Sequence, residues 1–274
     1  MLIGENLIYW IAYFFIYSFL GWLVEVLHAY KKSGTWVNRG FIKGPFCPIY
    51  GFGALLILTI LSPIQESILT LLIGAVLLIT LLEFVTGLML ESLFGAKWWD
   101  YHDEKFHIKG YVCPKYSILF GLLAVFTING IHPLMESLLD RLSLNAVQTL
   151  GLILLTYLTV DFVQTVLEII GLNRLLKDIQ QKMEELKQLE IRETLLKERK
   201  ETLEKMEKQV EEVEQRLNIL KEHFKELKIE YETMLRAGLG RYRRILTAFP
   251  KFQSKRFQQG YKKLKERFRS LRNG

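Results

Sequence analysis

The chain has 274 residues, half of them hydrophobic and 24% charged. Its apolar residues crowd into the first 171 positions, in runs too long for a water-soluble core. The net charge of +7 divides unevenly, with +12 on residues 236–274 and −5 on the rest, which excludes a uniformly basic protein.

Five stretches approach the roughly 20 apolar residues that a bilayer core about 30 Å thick requires of a helix. They cover residues 7–28, 46–61, 67–94, 116–131 and 146–172. The second and fourth are short and are interrupted by Gly51, Gly53 and Gly121. The first lacks a basic start and a small-residue cleavage site, so it is expected to remain as an anchor rather than to be removed as a signal peptide. The expected fold is therefore all-α: a polytopic membrane helix bundle of five transmembrane helices over residues 1–172.

Basic loops set the orientation of such a bundle. Lys31, Lys32, Arg39 and Lys43 follow the first stretch, and Lys97, Lys105, Lys109 and Lys115 follow the third. The intervening connections hold Arg141 as their one cation. This alternation predicts a multi-pass cell-membrane protein with its N-terminus outside and its C-terminus in the cytoplasm. Both cysteines then lie near the reducing side, which argues against a structural disulfide.

The sequence repeats itself at an offset of 66 residues: Ile42–Gly51 reads IKGPFCPIYG and Ile108–Ser117 reads IKGYVCPKYS. The offset carries Gly21 to Gly87, Glu25 to Glu91, Lys43 to Lys109, Cys47 to Cys113 and Pro48 to Pro114. Residues 17–54 and 83–121 thus read as parallel two-helix repeats, related by an axis along the membrane normal and expected to fold alike. Residues 161–163 and Glu168 are a partial third echo.

After residue 172 the sequence becomes charged and periodic. Leu203, Met206, Val210, Val213, Leu217, Leu220, Phe224, Leu227, Tyr231 and Met234 alternate at spacings of three and four, which predicts a cytoplasmic coiled coil over 173–235. One helix cannot bury that seam alone. A parallel homodimer is the simpler expectation, and folding back within the chain is the other. Gly238 and Gly240 are expected to end the rod. The basic tail 236–274 interleaves cations with aromatic residues, a mixture that suits anionic membrane lipid first and nucleic acid second.

Ionisable groups inside apolar spans are costly and usually face a cavity or a partner. Glu25, Glu83, Glu91, Asp161 and Glu168 fall in that class. Asp161 and Glu168 are seven residues apart and share a helix face. A ring of carboxylates could bind a cation or relay protons, with Lys43 and Lys109 as gating partners. The competing structural expectation pairs Glu25 with Lys43 and Glu91 with Lys109. In each loop Lys-Gly-x-x-Cys-Pro resembles the opening of an interrupted or re-entrant segment, with Cys47-Pro48 and Cys113-Pro114 at the helix starts. No zinc spacing, Walker motif or hydrolase signature occurs, so neither a metal, a cofactor nor an enzymatic activity is expected.

The pieces Tyr17–Glu25 (YSFLGWLVE), Asn38–Ala54 (NRGFIKGPFCPIYGFGA) and Lys97–Ser117 (KWWDYHDEKFHIKGYVCPKYS) carry a resemblance. Through them residues 1–170 resemble a bacterial membrane family, the ABC-transporter type IV or CmpB-like permeases. That family has serine and asparagine more often where this chain has His102 and His107. The resemblance implies membrane transport with a separate ATPase subunit. Two functions are expected from all of this: a transporter with a carboxylate-lined cavity, or a membrane-anchored scaffold acting through its rod and tail.

Overall fold

The computed structural model describes residues 3–61, 67–203, 210–249, 253–254 and 256–272. Helices dominate: α1 (Ile3–Ser33), α2 (Pro48–Ile60), α3 (Ile68–Phe94), α4 (Pro114–Phe126), α5 (His132–Leu139), α6 (Leu144–Leu203), α7 (Val210–Ala248) and α8 (Gln258–Arg272). Two strands of two residues each, Ala96–Lys97 and Gln253–Ser254, are minor additions. The chain forms two compact units, one of residues 1–169 and 244–253, the other of residues 170–243 and 254–274. Helix α6 belongs to both.

Among the described residues four helical segments are long and apolar enough to cross a membrane: Leu7–Lys31, Ile68–Phe94, Pro114–Leu139 and Leu144–Thr202, the last of which continues into the second unit. Their large aliphatic side chains point outward; Leu69, Ile73, Leu77 and Leu81 of α3 are each more than half exposed. A water-soluble monomer does not show such a surface, and a bilayer solvates it.

The expectation of five full spans is corrected at the second helix. At 13 residues α2 extends about 20 Å, short of the bilayer core. Helix α4 is also 13 residues long, but a π-helical turn at Thr127–Ile131 and then α5 continue it to Leu139. The wider turn falls just before Pro133, whose ring and missing N–H cannot join a regular i→i−4 ladder.

Both short helices begin in the same way. Pro48 and Pro114 take the first helical position and Cys47 and Cys113 precede them; proline loses nothing there, because the first amides have no intrahelical partner. Helix α2 packs on α1 and α4 on α3. Gly21 permits the first contact, since a Cβ there would fall on the ring of Tyr50. A core of Tyr17, Ala54, Ile57, Leu58, Leu71, Ala75, Ala124 and Ile128 joins the two hairpins.

The repeated loops fold differently, against the expectation that the two units match. In the second loop Lys109 and Gly110 have φ of 52° and 75°, and Tyr111 N–H donates to the Ile108 carbonyl at 3.0 Å, a tight turn closing an Ile108–Val112 bridge. Neither Lys43 nor Gly44 has positive φ; their amides turn outward instead.

The second unit is an antiparallel hairpin with a third helix laid on it. Gly171 meets Tyr242, Leu175 meets Gly238, Lys182 pairs with Glu230 at 3.1 Å and Lys200 with Glu214 at 2.6 Å. Each step forward along α6 is a step backward along α7. The periodic seam expected to join two chains is thus filled within one chain, burying Leu172, Leu176, Ile179, Leu217, Leu227 and Leu235. Gly238 and Gly240 do not end the rod, because α7 runs through both. At Gly238 a Cβ would meet Leu175 and Leu264, so that glycine serves close packing. Nor is the tail a free extension: α8 buries Tyr261 and Leu264.

Candidate functional site

Residues 34–47 and 95–113 lie at the same end of the first unit. Phe41 of the first loop packs on Phe94 and Trp98 at the start of the second and on Phe162 of α6.

Asn38 shapes the first loop. Its side-chain oxygen accepts from Trp22 Nε1 at 3.0 Å and from the Gly40 amide at 2.9 Å, and its nitrogen donates to the Lys43 carbonyl at 2.6 Å. This leaves the amides of Lys43 and Gly44 facing α6, where Asp161 accepts them at 3.1 and 2.7 Å. Such charge-assisted bonds are stronger than neutral ones and satisfy a carboxylate that is 6% exposed. Two turns along the same face, Glu168 takes Lys43 Nζ at 3.6 Å and Arg244 Nη2 at 3.5 Å. The other Arg244 nitrogen, Nη1, reaches the Gly40 and Ile42 carbonyls at 3.5 and 3.4 Å. Asp161, Glu168 and Arg244 together hold this loop on α6.

The expected Glu25–Lys43 pair is therefore corrected. Glu25 takes Arg39 at 3.4 Å and the Tyr50 hydroxyl at 2.8 Å. Glu91 takes the Tyr111 hydroxyl at 2.9 Å. Lys109 contributes its carbonyl, which accepts from Lys97 Nζ at 2.6 Å. Lys97 is 6% exposed, lies 3.9 Å from Asp100 and sits over the Tyr111 ring. Each glutamate follows a glycine by four residues, and the tyrosine covers that glycine: Tyr50 over Gly21, Tyr111 over Gly87. The two tyrosines are not related by the 66-residue offset. Chemistry is retained here while its sequence position changes.

Tyr116, the residue that the offset does pair with Tyr50, stacks on Tyr101 at 4.8 Å. Tyr101 donates to Glu83 Oε1 at 2.9 Å. Glu83 is 6% exposed, and among the described residues its Oε2 is buried with no hydrogen-bond partner. Phe120 links the halves, 6.3 Å from Tyr50 and 6.5 Å from Tyr116. The arrangement runs from Glu25 through Tyr50, Phe120, Tyr116 and Tyr101 to Glu83. Burial, then Glu83 and then Glu25, drive the Tyr101 hydroxyl far above its usual range. Burial and the Glu91 bond push Tyr111 up to about 12. Both phenols stay protonated at neutral pH and act as fixed donors to the carboxylates.

The structure separates the five acids into three sets. Glu25 and Glu83 share the aromatic arrangement, and Glu91 has its own tyrosine. Asp161 and Glu168 hold a loop. Cys47 and Cys113 are free and buried, and the Cys47 amide donates to the Ser18 carbonyl at 2.8 Å. No cluster of three metal-ligating side chains occurs among the described residues. Sequence reasoning missed Tyr101, Tyr111, Lys97 and Arg244. Tyr101 sits in a Trp-Trp-Asp-Tyr run that reads as an interfacial aromatic belt, and the sequence carries no sign that Arg244 reaches a loop two hundred positions earlier.

The comparisons with known proteins bear on the first unit. Residues 12–166 match the family described as Putative ABC-transporter type IV. No curated protein and no solved structure matches the chain. The matched segment begins within α1, ends beyond Asp161 and takes in both loops and the whole aromatic arrangement. The chain therefore belongs to the Putative ABC-transporter type IV family and is a multi-pass membrane protein of transporter type.

Proposed function

We propose that the protein moves or binds a cation or small cationic solute through the bundle, with Glu83 and Glu25 as the binding acids and Tyr101 and Tyr50 as the donors that fix them. The observation carrying this reading is Glu83 itself, a carboxylate buried in an apolar span with one oxygen lacking a partner. A group of that kind is expensive, and in membrane proteins it marks a pathway or a relay. Two hairpins that pair α1 with α2 and α3 with α4 fit a tandem duplication. The basic loops favour an external N-terminus and a cytoplasmic C-terminus. Membership of the family favours a separate ATPase subunit docking on that same side.

The test is cation flux in proteoliposomes. Protein reconstituted under an imposed sodium, potassium or proton gradient is expected to dissipate one of the three, followed by a trapped indicator. Glu83→Gln keeps the Tyr101 bond and removes the charge. It is expected to lower that flux at least tenfold with no loss of thermal stability. Equal flux in the variant, or none in the wild type with all three ions, overturns the reading.

A further inference from the structure

Charge in the second unit is separated along its length. Of the described residues, 170–180, 236–243, 254 and 256–272 hold 12 Lys or Arg against two acids, Asp178 and Glu266. The rest of the described hairpin, residues 181–203 and 210–235, holds 10 Lys or Arg against 13 acids. One end carries +10 and the other −3.

The basic end is the one joined to the bundle. Arg174 and Lys177 follow the last apolar turn of α6 by two and five residues, about 3 and 8 Å at helical rise. The contact of Gly171 with Tyr242 places Arg241 at the same level of the hairpin. Helix α8 is fixed there too: Gly260 lies against Leu176 and Gln180, and Leu264 against Gly238. With Gly260, Tyr261 and Leu264 turned inward, Lys262, Lys263 and Arg269 are left exposed on the opposite face. These cations therefore form a basic collar within about 15 Å of the point where α6 ceases to be apolar.

We propose that this collar binds anionic lipid headgroups of the leaflet from which α6 emerges. Electrostatic attraction to an anionic surface fades within a Debye length of about 10 Å, so only cations held close to the membrane contribute. The fold supplies that placement by bringing α8, distant in sequence, back to the first turns of the hairpin. The acidic far end is repelled by such a surface and takes no part in the binding. Helix α8 does not insert as an interfacial helix does: its apolar face is already occupied by α6 and α7, and lipid meets its polar face. The proposal is independent of any flux through the bundle.

The test uses the full-length protein in nanodiscs, with a fluorophore at Ser270→Cys on α8 and Cys47→Ser and Cys113→Ser to leave one thiol. Quenching by lipid carrying a headgroup nitroxide is measured in phosphatidylcholine discs and in discs with one-third phosphatidylglycerol. Quenching is expected to be at least threefold stronger with the anionic lipid, to fall to the zwitterionic level in half-molar salt, and to be lost in Lys262→Glu/Lys263→Glu/Arg269→Glu. Equal quenching in the two discs overturns the proposal without reference to any variant. So does a short RNA that shields the fluorophore from an aqueous quencher equally in both discs, which would make the collar a nucleic-acid surface. Unaltered circular dichroism of the triple variant separates lost binding from lost folding.

Discussion

The carboxylate of Asp161 accepts the backbone amide of Gly44 at 2.7 Å across 117 positions of sequence. With the Lys43 amide at 3.1 Å, it makes α6 part of the first loop's own hydrogen bonding. Asp161→Asn keeps the size of the side chain but turns one acceptor into a donor that faces an amide. Hydrogen bonds to a charged group contribute about 1.5–3 kcal/mol each, and an orphaned buried amide adds to the loss. The expected result is a fall in unfolding midpoint of about 3–12 °C for detergent-solubilised protein. An unchanged midpoint would mean that the loop stays in place without α6.

Gly44 is constrained by the same contact. A Cβ there would lie 2.9 Å from Asp161 Oδ2 and would overlap the Tyr157 hydroxyl. Gly44→Ala must displace one or the other, and overpacking of this kind costs about 1–3 kcal/mol. Tyr157→Phe removes the overlapping hydroxyl. The double variant is expected to be more stable than Gly44→Ala alone, a non-additivity read directly from the two midpoints. Purely additive effects would place the strain elsewhere.

These two contacts show why some of the architecture was legible and some was not. Apolar run lengths revealed the membrane helices, and the seven-residue spacing placed Asp161 and Glu168 on one face. The partners of those acids were not legible. The 66-residue offset repeats Lys43 as Lys109 and so singles it out as the partner of Glu25, yet Lys43 goes to Glu168 and Arg39 to Glu25. A single sequence carries no information on contacts more than a hundred residues apart. Gly238 and Gly240 misled for a different reason. Glycine costs a helix about 1 kcal/mol, but a close approach such as that of Gly238 to Leu175 offsets it. Helix α2 read as a span because composition does not report length once a proline fixes its start.

Tyr111 gives a pH signature outside the spans. Its folded-state pKa is raised to about 12, above the ordinary value near 10, by burial and by the bond to Glu91. The neutral phenol is therefore favoured in the folded state. The resulting stabilisation is complete below pH 10 and disappears as pH rises through about 12. Between pH 8 and pH 11 the wild type is expected to lose more thermal stability than Tyr111→Phe, which has no proton to release there. Parallel losses in the two proteins would remove the shift.

The hairpin of the second unit makes a prediction about chain number. The periodic seam on α7 is compatible with a partner chain or with α6, because knobs-into-holes packing specifies shape and not covalent origin. Lys200 Nζ and Glu214 Oε1 are 2.6 Å apart within one chain, and Lys182 and Glu230 are 3.1 Å apart. In a background with Cys47→Ser and Cys113→Ser, Lys200→Cys/Glu214→Cys treated with a short bis-maleimide is expected to run as a cross-linked monomer. Lys200→Cys alone is expected to remain uncross-linked. A parallel two-chain coil reverses both outcomes, because it sets position 200 beside its own copy and holds position 214 about 21 Å further along the rod. The single-cysteine variant is therefore the decisive lane of the gel: a dimer band from Lys200→Cys would require α6 to take a second chain in place of α7.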